Sequence, residues 1–492
     1  MTTNPRLITS EAVSEGHPDK LADRISDAIL DAYLEVDPKA KVACETLITT
    51  GKVIIAGEIS ATGKPANTLI EIAREVLRQT GYTSEAVGFN CDTATYIDLT
   101  HSQSPEISSS VEHGGAGDQG VMFGFACDET PQLMPLAITI SHEILEALTE
   151  KRKSGEMPFL RPDAKSQVTI RYEYGQPTAA HVVIVSTQHD ETIERSRLRN
   201  IIEDQVVSPI LRKHFGTGNA MVIVNPSGSF TIGGPHGDTG LTGRKIIVDS
   251  YGGACPHGGG AFSGKDASKV DRSAAYMARY IAKHVVAAGL ATKCTVQLSY
   301  GIAIDSPISI DVDLYGSSVY VDSGVSNACK RIFDLRPSKI AEKLGLNKPI
   351  FAATASGGHF GREEFPWEQL DPGIIAALQS DEETRMDKVE LERRERARKE
   401  HEGKQKYALL PTQELINTFN KIGSMEFETI PPSAMLAIKF IHHELFQRGI
   451  NCDLINQRNE AGNITGCTFT IPIRIEDIDG RPTLVRANGE ME

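Results

Sequence analysis

The sequence predicts a mixed α/β (α+β) protein. It has three blocks of strands and helices, followed by a small α+β extension. Three observations predict this class. Short apolar runs typical of strands alternate with longer segments in which apolar residues recur at helical spacing. Glycine-rich loops, rather than long linkers, separate these segments into blocks of about a hundred residues each. Around Asp371 the composition changes to a run dense in both charges, after which apolar periodicity resumes.

Length, charge and cysteine content narrow the class of protein. The 492 residues suffice for several domains, and a formal charge of −14 argues against nucleic acid as the general partner and for a small anionic ligand. The eight cysteines form no C-x-x-C pair, so neither a zinc site nor a disulfide framework is expected. The N-terminus has no apolar signal core, and no run of about eighteen apolar residues occurs. The sequence therefore predicts a soluble, cytoplasmic protein with no membrane partner.

The first block begins with a helix whose N-terminus carries polar side chains. Pro18 suits the first turn of a helix, and apolar residues follow at helical spacing. His17, Asp19 and Lys20 would then be presented at the helix N-terminus, where a phosphate group could bind. An ordinary polar cap explains the same residues equally well, so this segment alone leaves both interpretations open.

Two strand-like runs and a second helix complete the first block. Runs 42–48 and 53–59 predict a hairpin, and the amphipathic helix behind them ends near Gly81. Each strand carries one carboxylate, Glu45 in the first and Glu58 in the second. A glutamate in a strand usually faces solvent, although it can also bind a cation.

The second and third blocks repeat this alternation after a polar, glycine-rich loop over 98–120 that looks functional rather than structural. In the second block we expect a helix at 136–148, strands at 167–174 and 181–186, a helix at 191–211 and a strand at 220–224. In the third we expect a strand-like run at 245–248, strands at 294–303 and 309–314, and a helix at 325–333.

The most informative stretch is the glycine-rich loop 258–272. Four glycines lie within seven residues, and Lys265, Lys269 and Arg272 follow them. Glycine lets a backbone approach a ligand closely, and lysines beside such a loop are common partners of phosphate. Apolar residues from Ser273 onwards predict a helix, whose N-terminus also favours anions. A solvated surface loop is the alternative, but the density of glycine and charge favours anion binding.

The same loop matches the first part of the P-loop pattern G-x-x-x-x-G-K-[ST]. The next residue is Asp266, however, where a P-loop has a serine or threonine whose hydroxyl binds magnesium. A carboxylate there would lie against phosphate. The strand-like run 245–248 also lies about ten residues upstream, too far for a strand–loop–helix unit. We therefore interpret the match as chance.

The segment after Asp371 has a different pattern. Residues 381–406 predict a solvated helix stabilised by acid–base pairs four residues apart. From about residue 407 the pattern predicts short amphipathic helices, an alternating strand over 469–475 and a hairpin turn at Asp479-Gly480. This part reads as a small α+β module.

Six motifs, in order over residues 6 to about 371, closely resemble the methionine adenosyltransferase (S-adenosylmethionine synthetase) family. They are SEGHPDK, GAGDQG, DAKSQVT, GGPHGDTGLTGRKIIVDSYGG, GGGAFSGKDASKVDRSAAY and GHFGREEFPW. The resemblance implies three similar subdomains about a pseudo-threefold axis. Their expected bounds are 6–104, 117–232 and 234–372, and the extension, 373–492, matches nothing in the family.

The resemblance also implies an activity. In this family methionine sulfur attacks C5′ of ATP and expels triphosphate, which is cleaved to pyrophosphate and phosphate, so that S-adenosylmethionine forms. A thioether needs no general base, and the main demand is to hold a highly charged leaving group. The family further implies two Mg²⁺ ions per site, K⁺, and a homodimer or homotetramer with active sites at the dimer interface.

Site residues follow from the same resemblance, motif by motif. Catalytic roles are implied for His17, Lys165, Arg244, Lys265 and Lys269. ATP binding is implied for His17, Asp118, Asp163, Ala164, Lys165, Ser229, Phe230, Asp238, Arg244, Lys245, Ala261, Lys265 and Asp271. Methionine binding is implied for Glu58, Gln103, Asp238 and Lys269, magnesium binding for Asp19 and Asp271, and potassium binding for Glu45.

Three departures from the family pattern bear on function. Ser229 stands where an arginine is common, which removes one cationic contact to the nucleotide. The loop between Gln103 and Gly117 is shorter than usual, and Gly357 replaces a commoner aromatic residue. The alternative function is a catalytically reduced nucleotide-binding scaffold of the same fold. The full set of cationic and acidic positions argues against this scaffold. Ser229 leaves it as an alternative, because the serine lacks the charge of the usual arginine.

Overall fold

A computed structural model describes residues 5–102, 115–318 and 320–384, with scattered positions between 393 and 445 and the backbone of four strands between 453 and 486. The chain divides into two compact units, Met1–Met386 and Asp387–Glu492. The charged helix predicted over 381–406 lies almost wholly outside the described residues. Within the described residues no helix combines the length and the apolar character that crossing a membrane requires.

The N-terminal part of the first unit contains the predicted helix, hairpin and second helix. The helix does begin at Pro18, and the hairpin strands are antiparallel, as expected. The elements are β1 (Arg6–Val13), α1 (Pro18–Val36), β2 (Lys41–Thr49), β3 (Lys52–Ser60), α2 (Leu69–Thr80), β4 (Thr83–Ser84), β5 (Phe89–Asn90) and β6 (Thr95–His101).

The middle part has long strands and an interrupted helix. The single helix predicted over 191–211 is wrong, because a π-helical turn, Glu203–Val207, divides it into two. Pro209 is the second residue of the second piece, and a proline has no N–H to donate to the preceding turn and its ring crowds the carbonyl there. The elements are β7 (Gly120–Cys127), α3 (Leu136–Lys153), β8 (Leu160–Glu173), β9 (Gln176–His189), α4 (Arg195–Ile202), α5 (Ser208–Phe215) and β10 (Met221–Val224).

The last part of the first unit corrects one strand prediction. The run 245–248 is not a strand, because Ile246–Asp249 forms one helical turn in which Asp249 N–H donates to Lys245 O at 2.9 Å. Four apolar residues are too few for periodicity to separate a strand from a helix. The elements are β11 (Gly240–Leu241), α6 (Val270–Ala287), β12 (Lys293–Tyr300), β13 (Ser309–Asp313), α7 (Asp322–Ile332), α8 (Pro337–Lys343) and α9 (Pro372–Ser380).

Three sheets combine strands from distant parts of the chain. Their orders are β1-β8-β9-β10, β11-β2-β3-β6 and β13-β12-β7. Helices α1 and α2 pack near the second sheet, α3 packs on β1 and β8, and α6 packs on β7 and β12. Because each sheet takes a strand from a neighbouring block, the blocks are interlocked rather than strung in a row.

Helix α6 forms the centre of the first unit. It is buried on almost all sides, as expected for a helix that packs against a sheet and loops at once. Small residues let it approach its neighbours closely, since a Cβ at Gly124 of β7 would lie 2.0 Å from the carbonyl carbon of Ala278. The helix begins at Val270, three residues earlier than the apolar pattern predicts.

In the second unit the structure describes two β-hairpins. Strand β14 (Asp453–Arg458) pairs with β15 (Ile464–Thr470), and β16 (Ile473–Ile478) pairs with β17 (Arg481–Arg486). Ile478 pairs with Arg481, as a hairpin between these strands requires, and the predicted turn residues, Asp479-Gly480, lie outside the described residues. The continuous strand predicted over 469–475 is wrong, because β15 and β16 have different partners. Pro472, between them in sequence, has no N–H for a ladder.

Candidate active site

The N-terminus of α1 places a neutral histidine at the start of the site. His17 is the N-cap, and its buried Nδ1 accepts a hydrogen bond from Asp19 N at 3.2 Å. Burial, with the nearby charges of Lys245 and Lys165, lowers the pKa of His17 to about 3. Since Nδ1 is an acceptor, the proton of the neutral ring resides on Nε2, which can donate to a ligand oxygen.

Asp19 connects this helix end to the loop after β11. Its Oδ1 accepts from Leu241 N at 3.0 Å, and its Oδ2 accepts from Lys245 Nζ at 2.5 Å. Arg244 Nε lies 3.8 Å away. Burial alone would raise the pKa of Asp19, but the hydrogen bonds from Lys245 and Leu241 outweigh it and lower the pKa. The carboxylate therefore stays ionised beside two cations.

Asp163, at the beginning of β8, offers a buried acceptor that no described residue satisfies. Its Oδ2 accepts from Gly234 N at 2.9 Å, whereas its Oδ1 is enclosed with no hydrogen bond to the described part of the chain. Burial raises the pKa of Asp163 to about 6. A buried oxygen without a partner is costly unless a ligand supplies a donor. Lys165 and Asp238, both exposed, lie close enough to affect its charge.

The loop around Phe230 is held from behind by two residues that the motifs did not indicate. Phe230 N donates to His189 Nε2 at 3.2 Å, and His189 N donates back to Phe230 O at 3.0 Å. Buried Gln188 donates to Thr231 O at 3.1 Å, and its Oε1 has no partner in the described residues. Phe230 is half-buried and Ser229 is exposed. The ring and the serine thus border the site rather than the core.

These residues form one group, which we name the α1-end cluster. The charges of its members influence one another's pKa values, as those of Lys165 and Lys245 do at His17. Ala164 lies in the adjoining backbone, with its N–H donating to Ser14 Oγ at 2.9 Å. The α1-end cluster consists of His17, Asp19, Asp163, Lys165, Phe230, Asp238, Arg244 and Lys245.

The glycine-rich loop forms a second group by adding to the edge of β2. Cys44 N donates to Gly264 O at 2.9 Å, and Ala43 forms an antiparallel bridge with Lys265. Lys265 Nζ donates to Asp271 Oδ2 at 2.6 Å. A Cβ at Gly260 would lie 2.3 Å from Asp271 Oδ1, so only glycine lets the loop pass this carboxylate.

Lys269 pairs with a buried acid of the same loop. Asp266 is buried, and its carboxylate accepts from Lys269 Nζ at 2.5 Å, Val42 N at 2.7 Å and Ser268 N at 2.9 Å. These backbone donors hold the carboxylate inside the loop. The rejection of a P-loop holds, since α6 begins five residues after Lys265 and a helical turn replaces the expected strand.

The outer face of the β2-β3-β6 sheet carries the remaining acids. Residues paired across strands share a face. In one row across the strands, Ala43 pairs with Lys265 on one side and with Glu58 on the other, and Glu58 pairs with His101. His101 Nε2 lies 3.5 Å from Glu58 Oε1. The next row contains Glu45, which is exposed. We name Glu45, Glu58, Lys265, Lys269 and Asp271 the glycine-loop cluster.

Apolar side chains on the same face are unusually exposed. Leu99 is 58% exposed and Ile97 is 37% exposed, and Leu47, Ile54 and Ala56 on the paired strands are only half-buried. Contiguous exposed apolar surface rimmed by charged groups is typical of a surface that another chain or a ligand covers. Glu45 and Glu58 therefore lie on an incompletely covered face.

The two clusters approach each other through their loops. A Cβ at Gly243 would lie 2.6 Å from Ala261 Cβ, so the loop bearing Arg244 touches the glycine-rich loop. Among the described residues, however, no hydrogen bond or ion pair joins a member of one cluster to a member of the other. Asp118 is exposed, with Oδ1 accepting from Gln119 N at 2.7 Å. Gln103 lies outside the described residues.

The acids fit a magnesium ion that is shared with phosphate. In the part of the chain that the structure describes, no group of three or more His, Cys, Asp or Glu could enclose a metal. Asp19 and Asp271 instead each carry one lysine, at 2.5 and 2.6 Å. Mg²⁺ is usually held by one or two carboxylates, with phosphate oxygens and water as its other ligands. Single carboxylates of this kind are what such an ion needs.

Two other expectations change with the structure. Lys20 does not face a ligand, because its ammonium group donates to the buried carboxylates of Asp23 and Asp249 inside the fold. Gly357 adopts φ +78°, a left-handed conformation that favours glycine over an aromatic residue. A Cβ there would also lie 2.9 Å from Glu146 Oε1. The local backbone thus accounts for the glycine.

Comparison with known proteins supplies the family. Three family models match in order: the S-adenosylmethionine synthetase N-terminal domain over 5–105, central domain over 113–230 and C-terminal domain over 232–369. The chain is 53% identical over 371 residues to an S-adenosylmethionine synthase of Wolinella succinogenes, covering 74% of this chain and 96% of that protein. An S-adenosylmethionine synthase of Helicobacter hepaticus is 52% identical over 371 residues, with the same coverage of both chains.

Proposed function

Because this chain belongs to the S-adenosylmethionine synthetase family, we propose that the α1-end cluster and the glycine-loop cluster are the two halves of its active site. The chain has the activity of an S-adenosylmethionine synthase: it joins ATP and L-methionine into S-adenosylmethionine, releasing phosphate and pyrophosphate through triphosphate. The observation that carries the proposal is the pairing of its lysines. Lys245, Lys265 and Lys269 each donate to a carboxylate at 2.5–2.6 Å, which phosphate oxygens would replace as the partner.

The arrangement suits a reaction whose main difficulty is the leaving group. Methionine sulfur carries its own lone pair, so the carbon–sulfur bond forms without proton abstraction while the bond from C5′ to triphosphate breaks. Charge then develops on the departing oxygen, where preorganised cations are most effective. The triphosphate would be held from one side by the α1-end cluster, through His17 Nε2–H, Lys165, Arg244 and Lys245. It would be held from the other side by Lys265 and Lys269 of the glycine-loop cluster. Because its lowered pKa keeps His17 neutral, its Nε2–H can donate a hydrogen bond to a phosphate oxygen, and the ring does not take up a proton itself.

Nucleotide binding falls mainly to the α1-end cluster and its surroundings. Asp163 Oδ1, buried and without a partner, can accept from a hydroxyl or amino group of the nucleotide. Phe230 offers a half-buried ring for the base, and its loop is fixed by Gln188 and His189. We assign Asp118, Ala164, Ser229 and Ala261 to the same surroundings.

Methionine binding falls to the sheet face and to the exposed acids. The ammonium group of methionine needs acceptors, which Glu58 and Asp238 can supply, and its side chain needs apolar surface. Glu58 lies half-buried in a row next to the exposed Leu99. Lys269 is suited to the substrate carboxylate. Gln103 completes the proposed set.

Magnesium and potassium belong to the same proposal. Asp19 and Asp271 would each hold one of two Mg²⁺ ions together with phosphate oxygens, and Glu45 would hold K⁺ on the sheet face. When bound, magnesium supplies positive charge that offsets the charge of the triphosphate. The lysines now paired with these acids would then turn to phosphate.

We further propose a homodimer, alone or paired into a homotetramer, with its active sites between subunits. Two features support it: the exposed apolar face around Leu99, and the absence of hydrogen bonds between the two clusters among the described residues of one chain. Within each chain, subdomains 6–104, 117–232 and 234–372 would be related by a pseudo-threefold axis. Each of the three sheets packs against helices, which suits such a relation.

The extension, 373–492, is proposed to be dispensable for chemistry. The first unit includes α9 and continues to Met386. Its last residues contact the rest of that unit, since Arg331 donates to Asp381 at 2.7 Å. The truncation is therefore made after Met386. A chain ending at Met386 should keep its turnover, and its mass in solution would report any role of the extension in assembly. Loss of turnover with an unchanged oligomer would place the extension in the active site instead.

A direct assay tests the function. The purified full-length chain is incubated with ATP, methionine, Mg²⁺ and K⁺, and S-adenosylmethionine, phosphate and pyrophosphate are quantified. We expect all three products, none in excess chelator, and a slower rate when sodium replaces potassium. Nucleotide binding without any product would instead support the reduced scaffold that Ser229 leaves open. Undiminished turnover in chelator would remove magnesium from the proposal.

A further inference from the structure

Helix α1 presents aspartates at every fourth position along one side. Asp19, Asp23, Asp27 and Asp31 follow this spacing, so they share a helix face. Each accepts hydrogen bonds from the backbone of a loop elsewhere in the chain. Their donors are Leu241 N for Asp19, Gly243 N for Asp23, Gly264 N for Asp27, and Phe351 N and Ala352 N for Asp31.

Asp23 holds the loop that carries the cations of the α1-end cluster. Its Oδ1 accepts from Gly243 N at 2.8 Å, immediately before Arg244 and Lys245. Its Oδ2 accepts from Lys20 Nζ at 3.0 Å, and Lys20 also donates to buried Asp249. Asp23 itself is 0% exposed. It has no route to a substrate, so any effect on the reaction must pass through the loop.

Asp27 holds the glycine-rich loop in the same manner, one helical turn further on. Its Oδ1 accepts from Gly264 N at 2.8 Å, immediately before Lys265. Arg272, near the start of α6, donates to both oxygens of Asp27 at 2.7 and 3.0 Å. Thr354 Oγ1 lies 3.3 Å from Oδ2. Asp27 thereby fixes the beginning and the end of the segment that bears Lys265 and Lys269.

The hydrogen bonds accepted by Asp23 and Asp27 fix the distance between the two loops along the rigid helix α1. Four residues of α-helix span about 6 Å, so the two loops are fixed about 6 Å apart along α1. The same helix carries His17 and Asp19 at its N-terminus. Buried carboxylates are costly unless all their oxygens are satisfied, and here backbone N–H groups satisfy them only when the loops are in place. A displaced loop leaves a buried acceptor unpaired.

We propose that Asp23 and Asp27 are positioning residues for the reaction, which hold the cationic loops in register with the N-terminus of α1. The inference rests on the proposed function, because it acts through Lys245 and Lys265. Neither aspartate touches a substrate. Misplacement of catalytic groups by about 1 Å can lower turnover by about a hundredfold, so the contacts matter even though the acids lie remote from the chemistry.

The test is a pair of double-mutant cycles on the full chain. Asp23→Asn is combined with Lys245→Ala, and Asp31→Asn, whose loop carries no site residue, is combined with Lys245→Ala as the matched control. We expect Asp23→Asn to lower kcat by about tenfold to a hundredfold in the parent chain, and by less than about threefold when Lys245 is already absent. Asp31→Asn should change kcat by less than about threefold in both backgrounds.

Each outcome has a separate meaning. Equal losses from Asp23→Asn in both backgrounds would overturn the inference, because the effect would not pass through the loop. A normal kcat for Lys245→Ala would instead count against the proposed active site. Circular dichroism and thermal unfolding establish that each variant is folded. If Asp23→Asn does not fold, Asp23→Glu keeps the charge beside Lys20 but moves the acceptor, and the same cycle decides with that variant.

Discussion

The two clusters differ in what encloses them. In the α1-end cluster, His17, Asp19 and Asp163 are buried, and backbone N–H groups of their own chain hold the two acids. In the glycine-loop cluster, Glu45 is exposed, and Glu58 lies on an apolar face that the described residues of the chain leave partly open. The buried members of the first cluster are enclosed by the fold of their own chain. The second cluster stays partly open in the described residues, which is why a further surface is proposed for it.

Removing single lysines should have the largest effect and should be similar for both clusters. Lys245→Ala and Lys265→Ala are each expected to lower kcat by about 10²–10³-fold, because under the proposed function each removes a preorganised cation that stabilises the leaving group. Lys269→Ala should behave likewise. Steady-state kinetics with thermal unfolding measures this, and Lys64→Ala, at an exposed position, is the control. Near-normal turnover for one lysine would remove its cluster from the active site.

Mixing two inactive variants tests whether the clusters of one site come from different subunits. The Lys245→Ala and Lys265→Ala chains are mixed in equal amounts under denaturing conditions and then refolded together. Co-expression of the two chains is the alternative route to hybrid dimers. If a site uses one cluster from each subunit, half of the dimers contain one fully intact site, so about a quarter of parent activity returns. Each variant refolded alone is the control. No recovery, with hybrid dimers identified by an affinity tag carried by only one of the two variants, would place both clusters of a site in one chain.

The pH dependence of stability should separate a buried acid from an exposed one. The folded-state pKa of Asp163 is about 6, above the ordinary 3.8, so between these values the folded state binds more protons than the unfolded state. Stability therefore falls as pH rises through this window. Relative to the parent, Asp163→Asn should gain up to about 3 kcal/mol between pH 3.5 and pH 7.

Glu58→Gln is the matched control from the other cluster, because its side chain is only half-buried. We expect its unfolding free energy to follow that of the parent within about 0.5 kcal/mol over the same range. Urea unfolding at several pH values provides the measurement. Parallel curves for Asp163→Asn and the parent would show that Asp163 is not destabilised by burial. Asp163→Asn should also weaken ATP binding, since it replaces the free acceptor by a donor.

The smallest expected effect concerns Ser229 at the rim of the α1-end cluster. Ser229 is exposed, beside the half-buried Phe230, so an arginine there would be accommodated. Ser229→Arg should lower the Michaelis constant for ATP a few-fold, or speed triphosphate cleavage by a similar factor, by adding one charge-assisted contact. Ser229→Gln provides a control of similar reach without charge. An unchanged Michaelis constant and cleavage rate would show that another residue fills this role.

Local patterns in the sequence determined many of the elements. The helix from Pro18, the hairpin after it and the helix ending at Gly81 follow from proline placement, strand propensity and amphipathic spacing. Six motifs identified the family, which the comparisons confirm. Errors occurred where local signals were short or interrupted, as in the run 245–248, in the helix interrupted at Glu203–Val207 and in the strand predicted over 469–475.

Only the tertiary structure decided which charges are enclosed by the fold and which stay partly accessible. Lys20 and Lys245 look alike in sequence, yet Lys20 is enclosed by Asp23 and Asp249 while Lys245 remains half-buried beside Asp19. Asp266 and Asp271 lie in one loop, but backbone donors hold the first inside while the second carries Lys265. The sequence specifies residue types and local periods. The environment of a charge depends on groups far away along the chain, and these come together only in the folded structure.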